Sequence, residues 1–187
     1  MMAAYTVSSG EEARLATLHH YEILDTPPEE AFDRITRLVR SVLQVPMSVV
    51  SFVDRDRQWF KSRQGVAATQ TARSIAFCNH AIRGPAPLIV PDALADPRFA
   101  ASPLVLGEPH IRFYAGVPLR THEGHNLGAL CALDTRPRNL DAEQVAILVD
   151  FARLVHDGME LRLVASVDSL TGVMTRRALI AAASFSM

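Results

Sequence analysis

The sequence lacks several features that would point to a particular class of protein. It has only two cysteines, Cys78 and Cys131, and their wide separation forms neither a metal-binding pattern nor a disulfide framework. No apolar run reaches the roughly 18 residues that suggest a membrane span, and residues 1–10 lack the architecture of a signal peptide. A net charge of −1 gives no electrostatic reason to expect binding to nucleic acid or to an anionic membrane. These absences favour a reducing, cytoplasmic location.

The apolar content is sufficient for one domain with a hydrophobic core, because 49% of the 187 residues are hydrophobic. Helical spacing predicts helices at 11–20 and 29–43. Strands are predicted at 46–53, 58–63, 88–90, 113–119 and 127–133, with a short helix at 75–83, a loop-rich segment at 92–112 and a long helix at 141–167. This order predicts an α+β fold with a central antiparallel sheet of five or six strands and the helices at 29–43 and 141–165 on one face.

Two of the predicted strands differ in pattern. Residues 46–53 are apolar on both faces, which predicts a central strand. Side chains alternate between the two faces over 58–63, and this alternation places Trp59, Lys61 and Arg63 on one charged face near a sheet edge.

Glu29 and Glu30 are interpreted as solvated residues of a first helical turn, where negative charge is favourable.

The long helix carries two apolar stripes. Leu148, Val155 and Met159 form one, which we expect to pack on the sheet of the same domain. The other has heptad-like spacing and predicts a contact with a second subunit through Ile147, Phe151, Leu154 and Leu161. The alternative is one broad stripe that faces only the domain's own core.

Six phrases of the sequence resemble the GAF domain family over roughly residues 14–165. They are Tyr21–Pro28, Asp56–Ser62, Phe77–Ile82, Val90–Ala93 with Asp96–Phe99, Arg112–Leu119 and Leu127–Asp134. The resemblance implies a ligand pocket between one face of the sheet and the crossovers at 64–86 and 92–112. It leaves the ligand and any cofactor unknown, because GAF domains bind diverse small molecules and many have no known ligand.

Eight residues are the candidates for this pocket: Phe60, Phe77, Cys78, His80, Asp92, Phe99, Phe113 and Tyr114. Apolar walls with a few polar groups are typical of small-ligand sites, and Asp92 and His80 are suited to charge-assisted hydrogen bonds. The alternative is that the aromatic residues form an ordinary core and that His80 only caps a loop carbonyl.

Other chemistries receive less support. Cys78 and His80 are suited to metal binding, but no spacing nominates the further ligands, so no metal is predicted. Free-methionine-sulfoxide reductases, an enzymatic GAF subgroup, need a cysteine within residues 92–112, which contain none. Cys131 is expected to be a buried, inert thiol too far from Cys78 for redox chemistry. No cysteine is directly followed by histidine, so no bilin-attachment motif is present.

The segment from Asp168 to Leu179 resembles the start of GGDEF domains, the diguanylate cyclases. It matches at Asp168, Leu170, Thr171, Gly172, Arg176 and Arg177, whereas Thr175 stands where asparagine is usual. The implied organisation is a tail at 1–13, a GAF sensor at 14–165 and a truncated GGDEF start at 168–187.

The expected function is therefore that of a cytoplasmic, homodimeric small-ligand sensor that controls a diguanylate cyclase in the parent protein. The chain itself is expected to be no enzyme, because the cyclase core is absent from it. The alternatives are a dimerisation scaffold without a ligand and, with less support, a cysteine-based redox enzyme of the sulfoxide reductase type.

Overall fold

The computed structural model describes residues 9–166. Its helices are α1 (Ser9–His20), α2 (Glu30–Leu43), α3 (Cys78–Ala81), α4 (Pro103–Leu106) and α5 (Ala142–Ser166). Its strands are β1 (Met47–Val53), β2 (Arg57–Gln64), β3 (Gln70–Ala72), β4 (Leu88–Val90), β5 (Phe113–Arg120) and β6 (Asn126–Asp134). The GGDEF-like segment predicted at 168–187 lies outside the described residues. Of the predicted tail at 1–13, the structure describes only residues 9–13, which belong to α1.

The strands form one six-stranded antiparallel sheet in the order β3-β2-β1-β6-β5-β4. This arrangement confirms the predicted α+β fold and sheet. The two central strands, β1 and β6, are buried along their whole length, because both faces of the sheet are covered. Within residues 9–166, no helix combines the length and apolar character needed to cross a bilayer.

Each face of the sheet has its own hydrophobic layer. Helices α2 and α5 cover one face, which we call the helix face, and pack there on Val50, Phe52 and Leu130. The crossover segments cover the other face, which we call the crossover face. They pack on Val49, Val53 and other strand side chains that point away from the helices. The stripe of α5 predicted to face the sheet does so: Leu148, Val155 and Met159 are at most 1% exposed.

Two short elements, β3 and α4, were not predicted from the sequence. Strand β3 has three residues and pairs with β2 at the sheet edge, and its composition gives no strand signal because none of its residues is strongly apolar. Helix α4 forms one turn inside the loop-rich segment. Its first turn begins with Pro103, and Ser102 Oγ accepts a hydrogen bond from Leu104 N at 3.3 Å, which is ordinary N-terminal capping.

Lys61 breaks the predicted alternation of β2. Val50 pairs with Ser62 and Ser51 pairs with Phe60, so Lys61 is the extra residue of a β-bulge. Its side chain has no solvent exposure, and its ammonium donates to Thr26 Oγ1, Pro27 O and Glu29 Oε1, each at 2.7 Å. Lys61 therefore does not belong to a charged face of the kind expected near a sheet edge, because its side chain is enclosed.

Glu29 connects this buried ammonium to the long helix. Besides the bond from Lys61, its Oε1 accepts one from Arg162 Nε of α5 at 3.0 Å, and Arg162 also donates to Tyr21 O at 3.0 Å. Glu29 is therefore a structural partner rather than a purely solvated first-turn residue. Its pKa is lowered because Lys61 and Arg162 together outweigh the desolvation caused by partial burial. We call Lys61, Glu29 and Arg162 the polar node.

We predict that Lys61→Met destabilises the fold by about 2 kcal/mol, because it deprives three acceptors of a charged donor while keeping most of the apolar stem. Arg63→Met is the matched control, since Arg63 is exposed on the same strand and should change stability by less than about 0.5 kcal/mol. Chemical unfolding followed by circular dichroism measures both. Equal unfolding midpoints for wild type and Lys61→Met would show that the polar node adds no stability.

Candidate functional site

A stack of aromatic side chains fills the space where the sequence predicts a pocket. The ring centroids of Phe77 and Phe99 lie 4.3 Å apart, and those of Phe77 and Tyr114 lie 5.1 Å apart. All three side chains are at most 3% exposed. A small molecule can enter this layer only by displacing the stack, so the crossover face is closed in this conformation.

The position of Tyr114 depends on a glycine two residues further along β5. A Cβ atom on Gly116 would lie 2.1 Å from the hydroxyl oxygen of Tyr114, so any larger residue would push the ring aside. The absence of a side chain at Gly116 lets the hydroxyl lie beside the two thiols of the chain. Tyr114 Oη is 3.4 Å from Cys78 Sγ and 3.4 Å from Cys131 Sγ.

The two thiols are in direct contact. Cys78 Sγ lies 3.2 Å from Cys131 Sγ, both residues are buried, and both are free cysteines. The expectation that Cys131 is too far from Cys78 was wrong. Cys131 points from β6 to the crossover face, and α3, which begins at Cys78, packs directly on that point of the sheet.

The environment of the thiols is polar on one side. Ser51 Oγ donates to Cys78 Sγ at 3.2 Å. Burial alone would raise the pKa of Cys78, but hydrogen bonds with Cys131, Ser51 and Tyr114 outweigh it and lower that pKa. Burial first, and then the proximity of Cys78, raise the pKa of Cys131 well above its ordinary value. The hydrogen bond from Ser51 favours the thiolate at Cys78, and the thiolate is the reactive form of cysteine.

The polar pocket candidates occupy the rim of this layer. His80 contacts the edge of Phe99, with ring centroids 4.8 Å apart. Its pKa is lowered by burial and by the nearby charges of Arg83 and Arg98. Asp92 is held by Arg112, whose Nε and Nη2 each donate to it at 2.7 Å, and this ion pair lowers the pKa of Asp92.

The two remaining candidates, Phe60 and Phe113, lie on opposite faces of the sheet. Phe60 lies in the same apolar layer as Phe77 and Cys78. Phe113 does not, because it belongs to the core of the helix face. Its inclusion with Tyr114 was wrong, since adjacent residues of a strand point to opposite faces. Ser51 was not among the predicted pocket residues, although period-two spacing within β1 places it on the same face as Val49 and Val53.

A separate surface depression follows strand β2. Its volume is about 630 Å³, which lies within the usual range for small-ligand sites. Unlike the predicted pocket, it is open to solvent and has a mixed lining. Its lining residues are Asp25, Thr26, Pro28, Asp33, Trp59, Phe60, Lys61, Ser62, Arg63, Gln64 and Thr69. The polar node forms part of its floor through Lys61.

The fold has many counterparts among known structures. It is similar to the GAF domain of an Acinetobacter phosphoenolpyruvate-protein phosphotransferase, with a TM-score of 0.62, 16% identity, and coverage of 87% of this chain and 99% of that one. It is also similar to a free methionine-R-sulfoxide reductase from Neisseria meningitidis in complex with its substrate, with a TM-score of 0.58, 18% identity, and coverage of 86% and 98%. At such identities these likenesses show the fold alone.

Sequence comparison finds a nearer relative. A cyclic di-GMP phosphodiesterase of Pseudomonas aeruginosa is 42% identical over 177 residues, which are 94% of this chain and 30% of the relative. The chain therefore spans less than a third of that protein. The family model of the GAF domain matches residues 27–156, a range that contains the six-stranded sheet, the thiol pair and most of α5. The chain belongs to the GAF domain family.

Proposed function

We propose that this chain is a sensory GAF module that regulates an output domain of cyclic di-GMP turnover, and that α5 transmits the signal. Two resemblances support the output. The segment from Asp168 to Arg177 resembles the start of GGDEF domains, and the relative from Pseudomonas aeruginosa is described as a cyclic di-GMP phosphodiesterase. A GGDEF diguanylate cyclase directly after α5 is the finer form of the proposal. Regulation of a phosphodiesterase is the alternative form.

The observation that carries the transmission proposal is the two-sided character of α5. One side packs against the domain through Leu148, Val155 and Met159. On other sides Leu154, Leu161 and Val164 are 51%, 71% and 68% exposed, although exposed apolar residues at this density are unfavourable in water. Such a helix is suited to link a change in its own domain to a neighbouring chain or to the segment that follows.

We propose a second copy of this chain as the occupant of the exposed stripe, because heptad spacing is self-complementary in a two-fold helix pair. Of the four predicted dimer residues, Leu154 and Leu161 are exposed, whereas Ile147 and Phe151 are half-buried. Phe151 also packs against the core of its own domain. The proposed contact is therefore centred on the C-terminal half of α5.

We predict that replacing both Leu154 and Leu161 by glutamate weakens self-association at least about 30-fold, as expected when two apolar anchors worth roughly 2 kcal/mol together are lost. The control is Leu106→Glu on α4, which removes another exposed leucine (61% exposed) far from α5 in the sequence. Analytical ultracentrifugation over a concentration series measures the dissociation constants. A wild-type chain that is monomeric at every concentration would remove the dimer from the proposal.

Transmission is tested by changing the phase of the helix. Gly158 lies against Phe32, whose ring would be 3.6 Å from an added Cβ, so an insertion there would disturb the domain itself. An insertion after Ser166 instead keeps the packing of residues 9–166. One added residue turns everything downstream by about 100°, and seven added residues approximately restore the phase.

We predict that, in the parent protein, the one-residue insertion changes the basal output rate by about 5- to 150-fold, the usual range of an allosteric coupling. The seven-residue insertion should restore most of the rate. Synthesis of cyclic di-GMP from GTP and its hydrolysis are both measured, so the assay identifies the output reaction as well. If both insertions leave both rates unchanged, α5 is a passive tether, and a scaffold that only dimerises is the better description.

Contact between the two thiols favours a second candidate function, in which the signal is an oxidant. The Cys78 thiolate attacks a peroxide oxygen, which gives a sulfenic acid and releases water or an alcohol. The Cys131 thiol then displaces hydroxide from that sulfur, and with its proton lost the products are a disulfide and water. The two sulfurs lose two electrons and the peroxide gains them, so the step is balanced.

We predict that native chain treated with hydrogen peroxide loses two hydrogens in intact-mass analysis and no longer reacts with an alkylating reagent after unfolding. Reduction should restore both thiols. In Cys131→Ser, Cys78 should instead be captured as a sulfenic acid by a 1,3-diketone, whereas Cys78→Ser is the matched control that should form no such adduct. Two thiols that remain fully alkylatable after treatment would exclude oxidant sensing by this pair.

A further inference from the structure

Three side chains with metal-binding atoms meet on the helix face, at the edge of the sheet where β1 ends and β6 begins. They are His122, in the turn between β5 and β6, and His156 and Glu160, both on α5. One ligand atom from each lies within 4.8 Å of the others. The imidazole rings of His122 and His156 are in edge contact, with centroids 5.1 Å apart. We call these three residues the His–His–Glu cluster.

Both sides of the cluster are held by regular structure. His156 and Glu160 are four residues apart on α5, so they lie on the same face one turn apart, and His156 Nε2 is 3.5 Å from Glu160 Oε1. His122 lies in a turn closed by Thr121 N to His125 O at 2.9 Å and by Gly124 N to Thr121 O at 2.9 Å. The backbone thus presents the third ligand from a fixed position.

Two of the three side chains also have the outer partners that metal ligands usually have. Asp157 Oδ1 lies 3.7 Å from His156 Nδ1, so a second carboxylate stands near the ring nitrogen that does not face Glu160. Glu160 Oε1 accepts a short hydrogen bond from the Tyr21 hydroxyl, which orients the carboxylate. Carboxylate partners of histidine and hydrogen bonds to a carboxylate ligand are characteristic of the surroundings of metal sites.

We propose that the His–His–Glu cluster binds a divalent transition-metal ion, with zinc the ion that its ligands fit best. Two imidazoles and one carboxylate are a common zinc set that leaves a fourth position for water or for another ligand. The same ligands do not suit magnesium or calcium, which prefer oxygen. In a tetrahedral zinc site, bonds of about 2.1 Å place ligand atoms about 3.4 Å apart. Since His122 is exposed, rotation of its side chain can close the remaining gap.

A bound ion would cross-link two parts of the fold. One is the β5–β6 turn, and the other is the C-terminal half of α5, which carries Glu160 just before Arg162 of the polar node. The proposal does not require that α5 regulates an output. It concerns the binding of an ion by residues within this chain, and it can fail or succeed independently of the proposed function.

The test uses the 187-residue chain without an affinity tag, stripped with a chelator and then dialysed. Cobalt(II) is the first probe, because a protein site of low coordination number gives it a visible absorption band that zinc then displaces. We expect one ion per chain. His122→Ala and His156→Ala should each lower the affinity at least about 100-fold, since even the loss of an outer partner commonly costs 10- to 100-fold. Tyr21→Phe should lower it about 10-fold.

The matched control is His125→Ala, which removes another histidine of the same turn that is not in the cluster. It should bind as wild type does, and zinc should raise the melting temperature of both but not that of His122→Ala. Circular dichroism with chelator present checks that each variant is folded. The proposal is overturned if His122→Ala and His125→Ala bind equally well. It is also overturned if no cobalt band forms, or if one ion binds per two chains with dimerisation, which would mean that the ion bridges copies.

Discussion

The bonding of one buried ammonium is the constraint on which the rest of the structure depends. The Lys61 side chain is fully enclosed, and an enclosed charge costs several kcal/mol unless polar partners surround it. Thr26, Pro27 and Glu29 supply three acceptors, so the chain before α2 must lie against the bulge of β2. Glu29 in turn must face Arg162. Apolar packing alone has no preferred direction, whereas these hydrogen bonds do, and they therefore set the rotation of α5 about its axis.

That rotation determines which side chains of α5 are left to other partners. With Arg162 directed at Glu29, Met159 and Val155 are buried, while Leu154 and Leu161 face away from the domain. The His–His–Glu cluster lies on the same half of the helix, so an ion there and the polar node would restrain the same rotation. A ligand changes the output only if it binds two arrangements of the helix unequally. A helix whose phase depends on a few discrete polar contacts is better suited to two such arrangements than one held by apolar packing alone.

The sequence predicted the elements whose signal is local and missed those whose signal is tertiary. A run that is apolar on both faces was sufficient for β1, and helical spacing was sufficient for α2 and for the buried stripe of α5, because the burial of such an element determines the residue type at most of its positions. The bulge at Lys61 interrupts the period-two spacing of β2, so alternation alone placed Lys61 on a charged face near the sheet edge. Phe113 was assigned to the same face of the sheet as its neighbour Tyr114, whereas adjacent residues of a strand point to opposite faces. The contact between Cys78 and Cys131 depends on how a crossover lies on the sheet, which no spacing in either segment records.

The closed crossover face changes what sensing by this domain requires. Phe77, Phe99 and Tyr114 fill the layer in which the family resemblance implied a ligand, so an entering molecule must first displace packed rings. A reaction at the thiols also requires the layer to open, because Cys78 and Cys131 are buried in it, but a peroxide needs a smaller opening than a ring-sized ligand. Cys131 lies in β6, and the turn that carries His122 immediately precedes that strand. A change at the thiols and a change at the cluster therefore act on the same β5–β6 hairpin. Because α5 packs directly on both of these strands, movement of the hairpin is a direct physical route from the thiols to the helix, whereas the cluster acts on α5 directly through His156 and Glu160.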